Sequence, residues 1–155
     1  MLNLARLRQA DKVLDPFCGS GSVLIEANLM GMHAIGTDKD PEMLWGCAQN
    51  LEFYKVKAAT GEGDATDIRL KTKEGKADTV DAIVTDPPYA RASKMFKKEL
   101  GELYAAFLRS AHKAIKRDGY LVFSVPHDTR LAYASHFKLI GEFTLYVHKS
   151  LSRKI

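Results

Sequence analysis

The sequence predicts an α/β domain built on a Rossmann-like, doubly wound sheet, mostly parallel and closed by a C-terminal antiparallel hairpin. Short β-branched apolar runs alternate with helical stretches through five units, the rhythm of parallel strands joined by crossover helices. Gly19 and Gly21, Asp38, Asp64 and Asp86 fall at the carboxyl ends of the runs, where sheets of this kind bind ligands. With 155 residues and 46% hydrophobic content, the chain fits a single domain over residues 1–155 and has little room for a second.

Residues 3–9 read as a short polar lead-in. Lys12 to Ser22 follows as strand, glycine turn and helix start, with the helix running to about Met30. The glycines permit a tight turn and let a ligand approach backbone N–H groups at a helix N-terminus; a plain structural turn is the alternative. Leu24 stands where a dinucleotide fold has its third glycine, which argues against an NAD site. Asp15, just ahead of the loop, repels a pyrophosphate and suits a cationic amino group. The next strand, residues 33–38, ends in Asp38, placed to take ribose hydroxyls. Asp40-Pro41 supplies a cap and first helical residue for a helix through about Phe53. Residues 56–59 read as a strand, and Gly63-Asp64 as a turn whose acid can meet an adenine amino group. Residues 69–78 form a charged surface loop.

The run Val80-Asp81-Ala82-Ile83-Val84 is a buried strand that delivers Thr85-Asp86-Pro87-Pro88-Tyr89 to its carboxyl end. The prolines fix φ and lack N–H donors, so the Asp86 and Pro87 carbonyls are expected to be free acceptors. A carboxylate, a preset carbonyl and the Tyr89 ring suit a flat group bearing an amine, stacked as bases are on aromatic side chains; a Pro-Pro turn closing a strand is the alternative. Residues 90–94 form a polar loop beside this site. From Phe96, apolar residues at three- or four-residue spacing predict an amphipathic helix to about Ile115, charged on its outer face. Asp118-Gly119 turns the chain into a strand at 120–125. Residues 126–128 start a short helix to about 135, and residues 137–148 and 150–155 form the hairpin.

A net charge of +4 and a pI near 9.0 permit a polyanionic partner without requiring one. Cys18 and Cys47 form no C-x-x-C pair, no apolar run approaches membrane-spanning length, and residues 1–10 lack a signal-peptide core. A cytoplasmic protein is expected. His127 and His148 have no partner at metal or triad spacing, so no metal is expected.

Asp15-Pro16-Phe17-Cys18-Gly19-Ser20-Gly21 together with Asp86-Pro87-Pro88-Tyr89 resembles the amino-group class of S-adenosylmethionine-dependent class I methyltransferases. With the lead-in from Asn3, Ile25-Glu26-Ala27 and the terminal His148-Lys149-Ser150-Leu151-Ser152-Arg153, the chain is most similar to the tRNA guanine-N2-methyltransferases, the guanosine-10 enzymes especially. The resemblance implies the cofactor S-adenosyl-L-methionine, with Phe17, Cys18, Gly19 and Gly21 at its methionine end, Asp38 at its ribose and Asp64 at its adenine, and Asp15, Lys39 and Ala65 also cofactor-binding. Asp86, Pro87, Pro88 and Tyr89 would be the catalytic set, with Asp86 also bordering the cofactor. Members of this family carry a THUMP-containing region upstream that grips tRNA, absent from these residues, so the resemblance implies a catalytic domain alone with weak tRNA binding. Ala90 departs from the Gly that relatives often carry after the Tyr. Within enzymes, ribosomal RNA guanine and DNA adenine or cytosine amino methyltransferases remain open; outside them, a cofactor-binding module without catalysis does.

Overall fold

Strands β1 (Lys12–Asp15), β2 (His33–Asp38), β3 (Ala59–Glu62), β4 (Val80–Thr85) and β5 (Ile115–Phe123) form one sheet in the order β3-β2-β1-β4-β5, with every neighbouring pair parallel. The computed structural model describes residues 1–72, 74–88, 94–129, 137–148 and 151–155. From β1 the chain winds outward to β3, then returns to the other side of β1 as β4, so strand order reverses between β1 and β4. Ligand crevices of open α/β sheets lie outside such a switch point.

Alternation along the strands divides the core in two, because successive side chains face opposite sides of a sheet. Val13, Ala82 and Val84 pack with α1 (Ser22–Leu29), α2 (Pro41–Phe53) and a short 3-10 helix at Leu2–Ala5. Leu14 and Ile83 face the other way, onto Phe107, Ala111 and Ala114 of α3 (Lys94–Ala114). The expected double winding is thus present. The lead-in is more ordered than its polarity suggests, because Leu2 and Ala5 are buried. α2 begins as expected, with the Asp40 carboxylate accepting from Glu42 N at 2.9 Å and Pro41 in the first turn.

Other boundaries differ from expectation. Residues 56–59 are not the third strand: pairing runs over Ala59–Glu62, all four residues exposed. Val56 and Ala58 instead pack against the core as the run-in, so the apolar signal precedes an edge strand that has little signature of its own. α3 stops at Ala114, and Ile115 opens β5 opposite Val80; pairing then jumps to Ala82 with Tyr120. The expected Asp118-Gly119 turn is therefore a bulge inside the strand. Asp118 has φ 63°, and a Cβ on Gly119 would lie 2.6 Å from the Asp81 carbonyl oxygen.

The strand expected over 120–125 divides at Ser124. β6 (Val125–Pro126) leaves the parallel sheet to pair with β8 (Leu151–Lys154), which pairs with β7 (Thr144–His148) in a separate antiparallel sheet of order β6-β8-β7. The hairpin is present, but its first arm is shorter than 137–148 and its second arm is the central strand of three. His127 and Asp128 lie in a turn closed by Thr129 N on the Pro126 carbonyl at 2.9 Å; the remainder of the helix expected there, and most of the polar loop at 90–94, lie outside the described residues.

Candidate active site

The ends of β1 and β4 meet through their side chains. Asp15 is 3% exposed; its Oδ1 accepts from Thr85 Oγ1 at 2.5 Å and from Phe17 N at 3.1 Å. Burial pushes its pKa up to about 7 against these two bonds, and the charges of Asp38 and Asp86 push the same way. A buried carboxylate beside two more acids favours a cation. The loop after it is set by backbone contacts: Cys18 N donates to the Thr37 carbonyl at 3.0 Å and Gly21 N to the Cys18 carbonyl at 2.8 Å. Gly21 has φ 87°, and a Cβ there would sit 2.6 Å from Cys47 Sγ, so only glycine fits this approach. The Cys18 side chain belongs to the core, and the Phe17 ring packs edge-on against Phe107 at 5.4 Å. What these two residues offer a ligand is chiefly loop backbone.

At the end of β2, Asp38 joins that loop to the start of α2: its Oδ2 accepts from Gly19 N at 2.8 Å and its Oδ1 from Asp40 N at 3.0 Å. A carboxylate has about four acceptor positions, so both oxygens retain capacity for hydroxyls. Asp64 caps a 3-10 helix at Ala65–Asp67 through Thr66 N at 2.8 Å and Thr66 Oγ1 at 2.6 Å. These bonds, more than the Lys39 ammonium 3.4 Å away, hold its pKa below the usual carboxylate range. The exposed Asp64–Lys39 pair contributes little to stability. Ala65 is buried against the α3 layer.

At the end of β4, Asp86 is held from two sides. Its Oδ1 accepts from Ser124 Oγ, and its Oδ2 accepts from Arg153 Nη1 at 2.6 Å. The Asp86 side chain nevertheless keeps 38% of its surface exposed, enough for a substrate to reach it. Pro87 is fully buried, which fixes the turn. Among the described residues no donor meets the Pro87 carbonyl, whereas the Pro88 carbonyl accepts from Tyr104 Oη at 3.1 Å. Burial, with the Asp86 charge adding, pushes the Tyr104 pKa up to about 12. Tyr89 lies outside the described residues.

Asp15, Asp38 and Asp86 thus stand at the carboxyl ends of β1, β2 and β4, which are neighbours in the sheet, with Asp38 and Asp86 close enough for their charges to act on Asp15, while Asp64 pairs with Lys39 just beyond β2. Sequence reasoning missed Thr85, Ser124 and Tyr104 and gave Arg153 no role. Thr85 and Ser124 did carry a signal, as polar residues inside apolar strands. Arg153 entered only within the terminal stretch that carries the family resemblance, and nothing there ties it to Asp86, 67 residues away in the chain. Among the described residues no group of three or more His, Cys, Asp or Glu is placed to hold a metal ion, and no helix is long and apolar enough to cross a membrane.

The profile of the RMKL-like methyltransferase domain matches residues 1–149. The chain belongs to that family. It is 37% identical over 158 aligned residues to a tRNA (guanine(10)-N2)-dimethyltransferase of Methanothermobacter thermautotrophicus, covering 100% of this chain and 45% of the relative. It shares 37% identity with a probable tRNA (guanine(10)-N2)-dimethyltransferase of Methanothermococcus thermolithotrophicus, covering 100% of this chain and 92% of that sequence. Among solved structures, TrmN from Thermus thermophilus superposes with a TM-score of 0.84 at 24% identity, over 99% of this chain and 45% of that one. The fold is that of the class I methyltransferases. The chain spans less than half of the Methanothermobacter relative.

Proposed function

We propose that this domain transfers a methyl group from S-adenosyl-L-methionine to an exocyclic amino nitrogen of a nucleobase, N2 of guanosine in tRNA, in the cytoplasm. The observation that carries the reading is the Asp86 carboxylate, held by Ser124 and Arg153 at the end of β4 yet still 38% exposed. The names of the relatives support the guanine and the tRNA.

The residues fit the cofactor. Buried Asp15, raised towards neutrality by burial and by its acidic neighbours, suits an ammonium group. The Gly21 approach, closed to any Cβ by Cys47, keeps the loop backbone low enough for a ligand to lie over it. Asp38 would take the ribose hydroxyls with Lys39 alongside, and Asp64 and Ala65 would border the adenine. Bound there, S-adenosylmethionine supplies a methyl group on a positively charged sulfur.

The chain's own part is to hold the amine and stabilise its charge. An aromatic amine is a poor nucleophile because its lone pair is delocalised into the ring. Asp86 and the Pro87 carbonyl accept its two hydrogens, localise the lone pair and stabilise the positive charge that grows on nitrogen. Holding donor and acceptor in line contributes much of the rest. Tyr89, which follows Pro88, is assigned by its chemistry to stack on a base drawn out of its stack. The domain is read as a catalytic unit, with the tRNA-gripping part in the portion of the relatives that these residues do not match.

Mass spectrometry of nucleosides from tRNA incubated with the full-length protein and isotopically labelled cofactor tests this. The expected product is labelled N2-methylguanosine or its dimethyl form; label on adenine or cytosine amino groups, or on none, overturns the reading.

A further inference from the structure

Arg153 has no place in the chemistry described so far, yet it contacts the acceptor carboxylate. It stands on β8, the central strand of the antiparallel sheet, opposite Pro126 on one side and Leu145 on the other. Its side chain is 18% exposed and its Nη1 lies 2.6 Å from Asp86 Oδ2. On the other oxygen, Ser124 donates from the residue at which the chain leaves the parallel sheet. The carboxylate is therefore gripped at both oxygens by groups on different elements.

Terminal carboxylate torsions are broad when left alone. With a hydroxyl on one oxygen and a guanidinium on the other, the plane is fixed and the remaining lone pairs point in set directions. Guanidinium donors sit in a rigid fork, so they orient a carboxylate in a way a lysine ammonium does not. Asp86 is followed by the rigid Pro87-Pro88 turn, but that turn fixes backbone, not side-chain rotation.

We infer that Arg153, delivered by the C-terminal strand, is a positioning residue that fixes the Asp86 carboxylate for the incoming amine. The inference rests on the proposed role of Asp86. It makes the small antiparallel sheet part of the catalytic apparatus: β8 carries a side chain from the end of the chain to the end of β4.

The test is a double-mutant cycle in the full-length protein. The variants are Arg153→Gln, Asp86→Asn and the pair, with Arg153→Lys as the conservative change. Lys154→Gln on the same strand is the control, since its ion pair is with Glu142, at 3.6 Å, and not with Asp86. Misorienting a functional group through its supporting partner typically costs roughly 10- to 100-fold in activity. Arg153→Gln should lower the single-turnover methylation rate by about that factor, with the RNA KM and the calorimetric S-adenosylmethionine affinity within about threefold, a small fraction of that range. Arg153→Lys should restore part of the rate, and Lys154→Gln should match wild type.

In the Asp86→Asn background, Arg153→Gln should change the rate little, because the group it acts through is already altered. Thermal midpoints give a readout independent of activity, and the two changes should be non-additive there too. An equal rate loss in both backgrounds overturns the inference, as does a parallel fall in cofactor affinity or the same loss in Lys154→Gln. If Arg153→Gln does not fold, the Arg153→Lys cycle decides on the same criteria. Failure of the underlying reading is distinct: wild type transfers no methyl to guanine N2 while the midpoints of the pair remain coupled.

Discussion

Thr85 Oγ1 donates to Asp15 Oδ1 at 2.5 Å, tying the ends of β1 and β4 together at the point where strand order reverses. The bond joins the residue before the acceptor turn to the residue before the glycine loop. Burial raises the Asp15 pKa to about 7 against this bond, with a consequence for stability.

A carboxylate whose pKa is higher folded than unfolded binds its proton more tightly in the native state. Its ionisation therefore opposes folding, fully above pH 7 and progressively less as pH falls towards 4. Asp15→Asn removes that titration. The variant should gain on the order of 2–4 kcal/mol over wild type in urea unfolding at pH 8, shrinking by pH 4.5, while binding S-adenosylmethionine more weakly because the ammonium loses its counter-charge. An equal difference at both pH values contradicts the assignment.

Asp38 serves two loops at once, through Gly19 N and Asp40 N. Asp38→Ala should weaken cofactor binding by about 1–3 kcal/mol, the scale of a hydrogen bond to a charged group. Calorimetry that finds unchanged affinity removes Asp38 from the ribose site.

Gly21→Ala introduces a Cβ 2.6 Å from Cys47 Sγ at a residue with φ 87°. It should lower stability by about 1–3 kcal/mol. Adding Cys47→Ala should recover the steric part and leave the backbone part. A double variant no more stable than Gly21→Ala, by thermal unfolding, means that the contact is not what fixes the loop.

The formal charge of +4 offers few phosphate contacts. The 155-residue chain should bind tRNA no more tightly than about 1 μM near physiological salt, as for non-specific polyanion binding, with affinity falling steeply as salt rises. Tight, salt-insensitive binding in filter or fluorescence titrations shows that these residues grip tRNA themselves.

How much was legible follows from where each signal lives. β2 could be read to the residue, because its apolar run ends in a single acid at the sheet edge, and β4 nearly so. Gly19, Gly21, Asp38, Asp64 and Asp86 could be placed at one end of the sheet because parallel strands bring all their carboxyl ends to the same side. β3 could not, since an exposed edge strand has no face to bury. The expected strand at 120–125 hid its break, because Ser124 interrupts an apolar run without a Gly or Pro to mark it. The partners of Asp86 were the least accessible: local pattern says nothing about which distant side chain a strand from another sheet will present. Tyr104 was hidden differently, since its helix spacing marks it as core and the hydroxyl's bond to the Pro88 carbonyl leaves no trace in periodicity.

The central claim is that Asp86 acts on the amine and not on the cofactor. Asp86→Asn keeps the shape but replaces a charged acceptor with a neutral one whose amide can turn its donors towards the substrate. Single-turnover methylation of tRNA by the full-length variant, measured beside S-adenosylmethionine calorimetry, should show a rate lowered about 100- to 1000-fold with cofactor affinity nearly unchanged. A near-normal rate, or equal losses in rate and affinity, would contradict it.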